Sequence, residues 1–265
     1  MTLPSVLFSV LAAAAISLFA VLIHGLTRSG GAVAFVLLSL IGICGGAAAL
    51  LTITVSFFLV ALVGKAVKRR TAVSLDGVNE KSGARDGVQV AVNGIPAAVI
   101  LLLYSVTKDA PFLLAYYAAI AEALGDSLAS DVGVLSKRPP RSAITMKPVM
   151  RGMSGGVSLL GTLSAATGIA AVTLLYFAFT RASLVPLLSL FAVAFIGVWL
   201  DSLLGATVQV RYVCSFCGKA TEKTHHCGKA TEKAGGISFM NNDAVNLLSG
   251  ALTVALAVPV GYLLL

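Results

Sequence analysis

Five acidic residues stand in or at the ends of apolar runs, where acids are expensive. Glu122 and Asp126 are four residues apart, so a helix places them on one face, and Ser130 continues that stripe. Asp131 follows near the end of the same run. Asp201 begins a similar row, with Gly205 and Gln209 at four-residue steps. Asn242, Asp243 and Asn246 cluster at the start of a third run, and Gln89 and Asn93 at the start of a fourth. A single Asn or Gln there reads equally well as a satisfied structural contact. Ionisable groups inside spanning helices are rare and mark function. Carboxylates gathered together repel unless a cation lies between them. Hard oxygen ligands favour Mg²⁺, which is commonly held by one or two carboxylates together with substrate phosphates.

The segment 136–151 carries Lys137, Arg138, Arg141, Lys147 and Arg151 and no acid. Acids for a metal beside cations for phosphate form a phosphoryl-transfer layout. The competing reading of the cations is a solvated loop facing anionic lipid. Next comes Arg151-Gly152-Met153-Ser154-Gly155-Gly156-Val157-Ser158, then Gly161 and Thr162. Glycines opening a helix can turn backbone N–H groups toward a phosphate, which makes Gly155, Gly156 and Ser158 binding candidates. Gly156 and Gly161 have P-loop spacing, but Thr162 stands where that motif needs Lys. For Gly161, Ala165 and Gly168, close helix packing is the simpler reading.

A separate cluster comprises Cys214, Cys217, His225, His226 and Cys227, and the stretch Cys-Gly-Lys-Ala-Thr-Glu-Lys occurs at both 217–223 and 227–233. The ligand types and spacing predict a structural Zn²⁺ in a zinc-knuckle-like loop, against free thiols or a redox pair. Cys44, alone in an apolar run, reads as packing, and His24 as an interfacial residue.

The elements that must carry these residues follow from composition. Of 265 residues, 58% are hydrophobic and 11% charged, and the mean hydropathy is +0.96. Such a chain needs lipid as its solvent, so a soluble domain is excluded. Apolar runs long enough to cross the bilayer lie at about 3–24, 89–106, 110–135, 154–180, 182–208 and 243–265. The run Gly31 to Gly64 is too long for one span and carries Gly45-Gly46 near its middle, so it divides into two short helices. The expectation is an all-α integral membrane protein of about eight transmembrane helices, one polytopic domain over 1–265. MTLPS has no basic region before the first run, which is expected to be a retained helix.

With both termini outside, loops 25–30, 64–88, 136–153 and 209–242 share one side. They hold Arg28, Lys65, Lys68, Arg69, Arg70, Lys81 and Arg85, the five cations named above, and Arg211, Lys219, Lys223, Lys229 and Lys233. Those are 17 of the 19 basic residues, leaving Lys108 and Arg181 opposite. The rich side is expected to be cytoplasmic. The net charge of +8 is thus a topology signal, and no nucleic-acid partner is expected.

Five segments taken in order carry a likeness to a known family. They are Asp86 through Asn93 and Gly94, Glu122 through Asp126 and Asp131 to Gly133, Gly155-Gly156 through Ser158 to Gly161, Asp201 through Gly205 to Gln209, and Asn242-Asp243 to Asn246. Over about residues 30–250 the chain resembles a family of multipass membrane proteins that includes the plant phytyl-phosphate kinase. It departs from the usual pattern with Asp131 in place of Glu and Met153-Ser154 in place of Thr-Asn. The resemblance implies phosphoryl transfer from a nucleoside triphosphate, CTP, to a prenyl monophosphate, giving the prenyl diphosphate at the cytoplasmic face of the cell membrane. Glu122, Asp126 and Asp201 would hold Mg²⁺, with Asp131, Asn242, Asp243 and Asn246 completing the site. Gln89, Asn93, Gln209 and the cations of 136–151 would hold substrate. A phosphate monoester is already an anionic nucleophile, so no strong base is needed.

Three alternatives stay open. A small-solute or ion transporter could use the intramembrane acids as a relay. A related polyprenol kinase or cytidylyltransferase could use similar acids on a related lipid. A scaffold could use its cysteine loop to bind a partner.

Overall fold

The computed structural model describes residues 2–70 and 83–265. Lys81, one of the predicted loop cations, lies outside the described residues. Seven helices account for most of them: α1 (Leu3–Leu22), α2 (Arg28–Arg70), α3 (Gly87–Thr107), α4 (Ala110–Gly133), α5 (Leu159–Thr180), α6 (Leu184–Thr207) and α7 (Asn242–Leu264). All seven are long and apolar enough to cross a membrane.

The starts of these helices follow local chemistry. Asp86 and Gln89 form a reciprocal capping box on α3. Ser158 accepts from the Gly161 amide at the start of α5, and Asn241 accepts from the Ala244 amide at the start of α7. Prolines stand in the first turns of α1 and α4, where their missing N–H costs nothing.

The 31–64 run does divide at its glycine pair. Gly46 adopts φ 73° and ψ −170° inside α2, a conformation open essentially to glycine alone. Beyond it the chain doubles back. Any side chain at Gly42 would meet Leu50 as well as Ser9 of α1, and Leu38 and Leu50 share one apolar cluster. α2 is therefore a hairpin of two limbs, 28–45 and 47–70. Both of its open ends lie at the same end of the bundle, since Gly30 sits against the Arg85 backbone and Gly64 against Asp131.

α4 is the central post, packed against α2, α3, α5, α6 and α7. Its residues Leu114, Tyr116 and Tyr117 are fully buried with Leu101, Ile169 and Leu190. The Tyr116 hydroxyl donates to the Ala49 carbonyl at 2.7 Å, fixing the α2 turn to the post. Leu7, Leu11 and Leu18 of α1, Leu163 and Leu174 of α5, and Leu188 of α6 stay exposed, as lipid-facing residues should.

The basic loops gather at one end. Thr27 and Arg85 are joined through an amide-to-carbonyl hydrogen bond at 3.0 Å, so the loop before α2 and the one before α3 run side by side. The expected all-α membrane architecture is what the chain adopts, and its two long loops add short antiparallel strands. β1 (Arg141–Ser142) pairs with β2 (Gly156–Val157). β3 (Arg211–Val213) lies between β4 (Ala220–Thr221) and β7 (Glu232–Gly235), and β5 (His225–His226) pairs with β6 (Lys229–Ala230). The predicted helix start at 154 is too early: Gly155 has φ 75°, Gly156 is in β2, and α5 begins only after Ser158.

Any Cβ at Gly46 meets nothing within 4 Å, so the cost of Gly46→Ala is conformational rather than steric. It should destabilise the protein by about 1–3 kcal/mol, read as a lower melting temperature in detergent. An unchanged melting temperature would remove the hairpin turn as a specified feature.

Candidate active site

Three helices bring the acids together because each carries its polar residues on the face toward the others. Glu122 on α4 is 3% exposed, and the Ser249 hydroxyl of α7 lies 2.9 Å from its Oε1. The same hydroxyl is 3.1 Å from Asp201 Oδ2 on α6. Asn246 directs its amide NH₂ to Asp201 Oδ2 and to the Asn242 carbonyl, each at 3.2 Å. The Asp126 and Asp201 carboxyl groups are within hydrogen-bonding reach of each other. α6 approaches closely at Gly197, where any side chain would strike Thr253 and Glu122.

Ser249 has one proton to donate and three acceptors around it, counting the Asn246 carbonyl at 3.1 Å. Protein donors are thus in short supply among Glu122, Asp126 and Asp201. Oxygen-rich groups short of donors suit a hard cation, so the residues present fit Mg²⁺.

A cavity of about 1510 Å³ opens from this cluster toward the loop end of the bundle. Asp126, Asp131, Asp201, Asp243, Asn242, Asn246, Gln89 and Asn93 line it, as do Gly155, Gly156 and Ser158. Glu122 lies one layer deeper, linked through the buried Ser249 to Asp201 on the lining. Gln209 is also behind the wall, 1% exposed, with its Nε2 donating to Ser154 Oγ at 2.8 Å. Gln89 and Asn93 carry local duties as well: Gln89 closes the α3 capping box, and Asn93 donates to the Gln89 carbonyl at 2.8 Å.

The phosphate-binding cations need correction. Of the five expected, the structure brings only Arg151 to the cavity. Lys137, Arg138, Arg141 and Lys147 are exposed outside it, and Arg141 donates to the Met146 carbonyl instead. Lys137 and Arg138 precede β1, and of the cations from β1 to β2 only Arg151 reaches the cavity. Lys65, Lys68, Arg69 and Arg85 take their place on the lining. Arg85 Nη2 donates to Ser127 Oγ at 3.0 Å. Burial draws the Arg85 guanidinium below the ordinary arginine range, while Asp131 and Asp126 oppose that shift and keep it a cation.

Sequence reasoning passed over Arg85, Lys65 and Lys68 as site residues, and passed over Ser249 altogether. For Ser249 a signal existed, because Asn242, Asn246, Ser249 and Thr253 follow helical spacing. For the cations the only signal was their count in a basic loop.

Beside the polar cavity, an apolar chamber of about 100 Å³ lies between α1, both limbs of α2, α3 and α4. Ile16, Ala34, Leu38, Ile53 and Leu124 wall it, while Arg85, Gln89, Asn93 and Ser127 border both spaces.

Over the loop end, Cys214, Cys217, His226 and Cys227 converge, their ligand atoms all within 4.8 Å of one another. His225, included among the expected ligands, is not among them; its Nδ1 faces Thr224 Oγ1 at 3.3 Å. Successive residues of a strand point to opposite sides, so only one of the two histidines can turn inward. The Cys217 backbone amide, and after it the His226 side chain, bring the Cys214 thiol down to about 6 against the opposing effect of burial. Burial, then Cys217, push the Cys227 thiol up.

Residues 11–254 match the family described as integral membrane protein DUF92. The chain belongs to that family. Among curated relatives, Protein PGR of Arabidopsis thaliana is 31% identical over 218 residues, covering 72% of this chain and 73% of its own. Protein VTE6, chloroplastic, from the same plant is 26% identical over 243 residues, covering 89% of this chain and 66% of its own. An uncharacterized membrane protein of Methanocaldococcus jannaschii, MJ0933, is 28% identical over 123 residues, 44% of this chain and 48% of its own. No solved structure matches.

Ser249→Ala removes the hydroxyl between Glu122 and Asp201 and should cost about 1–3 kcal/mol. Thermal unfolding in detergent without divalent cations is the measurement. A melting temperature equal to the parent's would mean that the hydroxyl is not needed there.

Proposed function

We propose that this protein transfers the γ-phosphoryl group of a nucleoside triphosphate, CTP, to a prenyl monophosphate of the phytyl or geranylgeranyl type, making the prenyl diphosphate. The observation that carries this reading is the sharing of one cavity by acids and cations, with an apolar chamber at its side. Membership of the DUF92 integral membrane family is consistent with it, the resemblance to the family that includes the plant phytyl-phosphate kinase supports it, and the likeness to VTE6 extends over most of this chain.

In this reading an oxygen of the lipid phosphate attacks the γ-phosphorus, and the bond from that phosphorus to the β-phosphate oxygen breaks, so that CDP leaves. The nucleophile is an anion already, and the protein's task is positioning and charge neutralisation. Arg85 sits where the polar and apolar spaces meet, suited to a phosphate whose first few prenyl carbons enter the chamber while the rest of the tail lies in lipid between helices. Lys65, Lys68 and Arg151 line the wider space, where a triphosphate would fit. Asp126 and Asp201 would hold Mg²⁺, with Glu122 behind them, and Mg²⁺ when bound neutralises phosphoryl oxygens. Asp131, Asp243, Asn242 and Asn246 complete the polar wall. The cavity end, with its basic loops, is the cytoplasmic one by the positive-inside rule, in the cell membrane.

Transport is the less favoured reading. Past Glu122 the bundle is filled by Tyr116, Tyr117 and Leu114, all buried, with no polar lining continuing to the far end among the described residues.

The test uses the detergent-purified protein with Mg²⁺, CTP and a panel of prenyl monophosphates. Prenyl diphosphate and CDP should form and should vanish with EDTA. Asp126→Asn should lower turnover by about 100-fold or more, whereas Lys137→Ala and Arg138→Ala, outside the cavity, should leave it close to the parent's. Inorganic diphosphate released in place of CDP would mean nucleotidyl transfer, and no product with any acceptor would overturn the reading.

A further inference from the structure

The excursion between α6 and α7 is poorly provided with apolar residues. Along 209–235 the buried positions are Gln209, Val210, Cys214, Thr221 and Glu222, while Phe216 is exposed with Lys229 5.5 Å above its ring. So little apolar burial does not hold a small subdomain by itself, and such units are commonly held by a metal or disulfides. Here the four groups that converge come from two separate turns. Cys214 and Cys217 flank a tight turn closed by the Gly218 amide donating to the Cys214 carbonyl at 2.8 Å. His226 and Cys227 lie at the β5–β6 turn, where Cys227 has φ 52°, an uncommon value for a residue with a side chain. His226 Nδ1 stands 3.2 Å from Cys227 Sγ and 3.5 Å from Cys217 Sγ. A tetrahedral zinc with three thiolates and one imidazole places its ligand atoms about 3.8 Å apart or a little less, so the cluster fits that ion.

The chain between the two ligand pairs has a second attachment. Glu222 is buried, and its Oε1 accepts from the Ser154 backbone amide at 2.9 Å. Ser154 belongs to the glycine-rich stretch that walls the cavity, and its hydroxyl is held from the other side by Gln209. Gly155, next in line, has φ 75° and lies against the Ala206 backbone, so the stretch has little other freedom. The two copies of Cys-Gly-Lys-Ala-Thr-Glu-Lys are thereby unequal. Glu222 of the first is buried against the cavity wall, whereas Glu232 of the second is exposed in β7.

We propose that Cys214, Cys217, His226 and Cys227 bind one Zn²⁺, and that this ion, by holding the turn that carries Glu222, fixes Ser154 and the glycine-rich wall of the cavity. The site is a brace for that wall and takes no part in chemistry. The inference rests on the cavity's geometry and stands apart from the phosphoryl-transfer reading.

The test is made on the full-length protein in detergent and needs no turnover assay. Elemental analysis should find one zinc per chain, and Cys217→Ser with Cys227→Ser should lose it. Hydrogen exchange over residues 151–156 is then compared with and without zinc. Stripping the wild-type protein with a chelator should speed exchange at the Ser154 amide, and zinc added back should restore protection. Glu222→Ala should keep the zinc yet show the same fast exchange at Ser154. Wild-type protein purified without zinc, and taking up none when it is supplied, overturns the metal site. Zinc that comes and goes with no change at Ser154 overturns the brace. Should the cysteine variants fail to fold, the wild-type chelation series still decides both points.

Discussion

The structure is governed by the presence of carboxyl groups inside a bundle whose outer solvent is hydrocarbon. Glu122, Asp126 and Asp201 cannot be hydrated from the side, and each must find donors, a cation or an opening to water. Ser249 and Asn246 supply the donors, and neither suffices alone. Close passage of α6 at Gly197 brings Asp201 to the same place as Glu122 and Asp126. The cavity then gives the outermost acids their access to water. Packing and polarity are therefore a single arrangement: the small residues exist where the acids need neighbours from other helices.

The same requirement explains why the loops fold back over the bundle instead of spreading on the membrane surface. Arg85 is drawn inward beside Asp131 and Asp126, and its backbone is tied to the loop before α2. A cation brought that deep has to give up much of its hydration, which the neighbouring carboxylates replace. On the other flank, Ser154 and Gln209 close the wall against the end of α6. The space left between is polar below and apolar at one side, matching in outline an amphiphile with an anionic head.

Much of this was legible in the sequence. Length and hydropathy identified the spans, and the glycine pair identified the turn in the 31–64 run, because few other features can break a helix so sharply. Four-residue spacing correctly put Glu122 and Asp126 on one face. What could not be read was depth and loop direction. Glu122 and Asp126 look equivalent in sequence, yet one is sealed behind Ser249 and the other meets the cavity. Lys137 and Arg138 have the residue type expected of phosphate ligands, yet they stand exposed outside the cavity, which spacing alone does not reveal. Arg85 has no distinguishing neighbour, and its position comes from the hydrogen bonds that join it to Gly25 and Thr27. His225 and His226 are adjacent, and only strand alternation separates their roles.

The alternating direction of the helices has a consequence for the field inside the cavity. α3, α5 and α7 start at the loop end, whereas α4, α6 and the second limb of α2 finish there. Helix starts carry partial positive charge and helix finishes partial negative charge. The finishing helices α4 and α6 bear Asp126, Asp131 and Asp201, so side chains and peptide dipoles there add to one negative pole. The starting helices bring Gln89, Ser158 and Asn242 of their first turns or caps to the lining of the same space, so their positive ends form the opposite pole. The bundle is thus polarised across its own cavity, and a metal–phosphate pair entering it would meet a ready-made orientation before touching any single side chain.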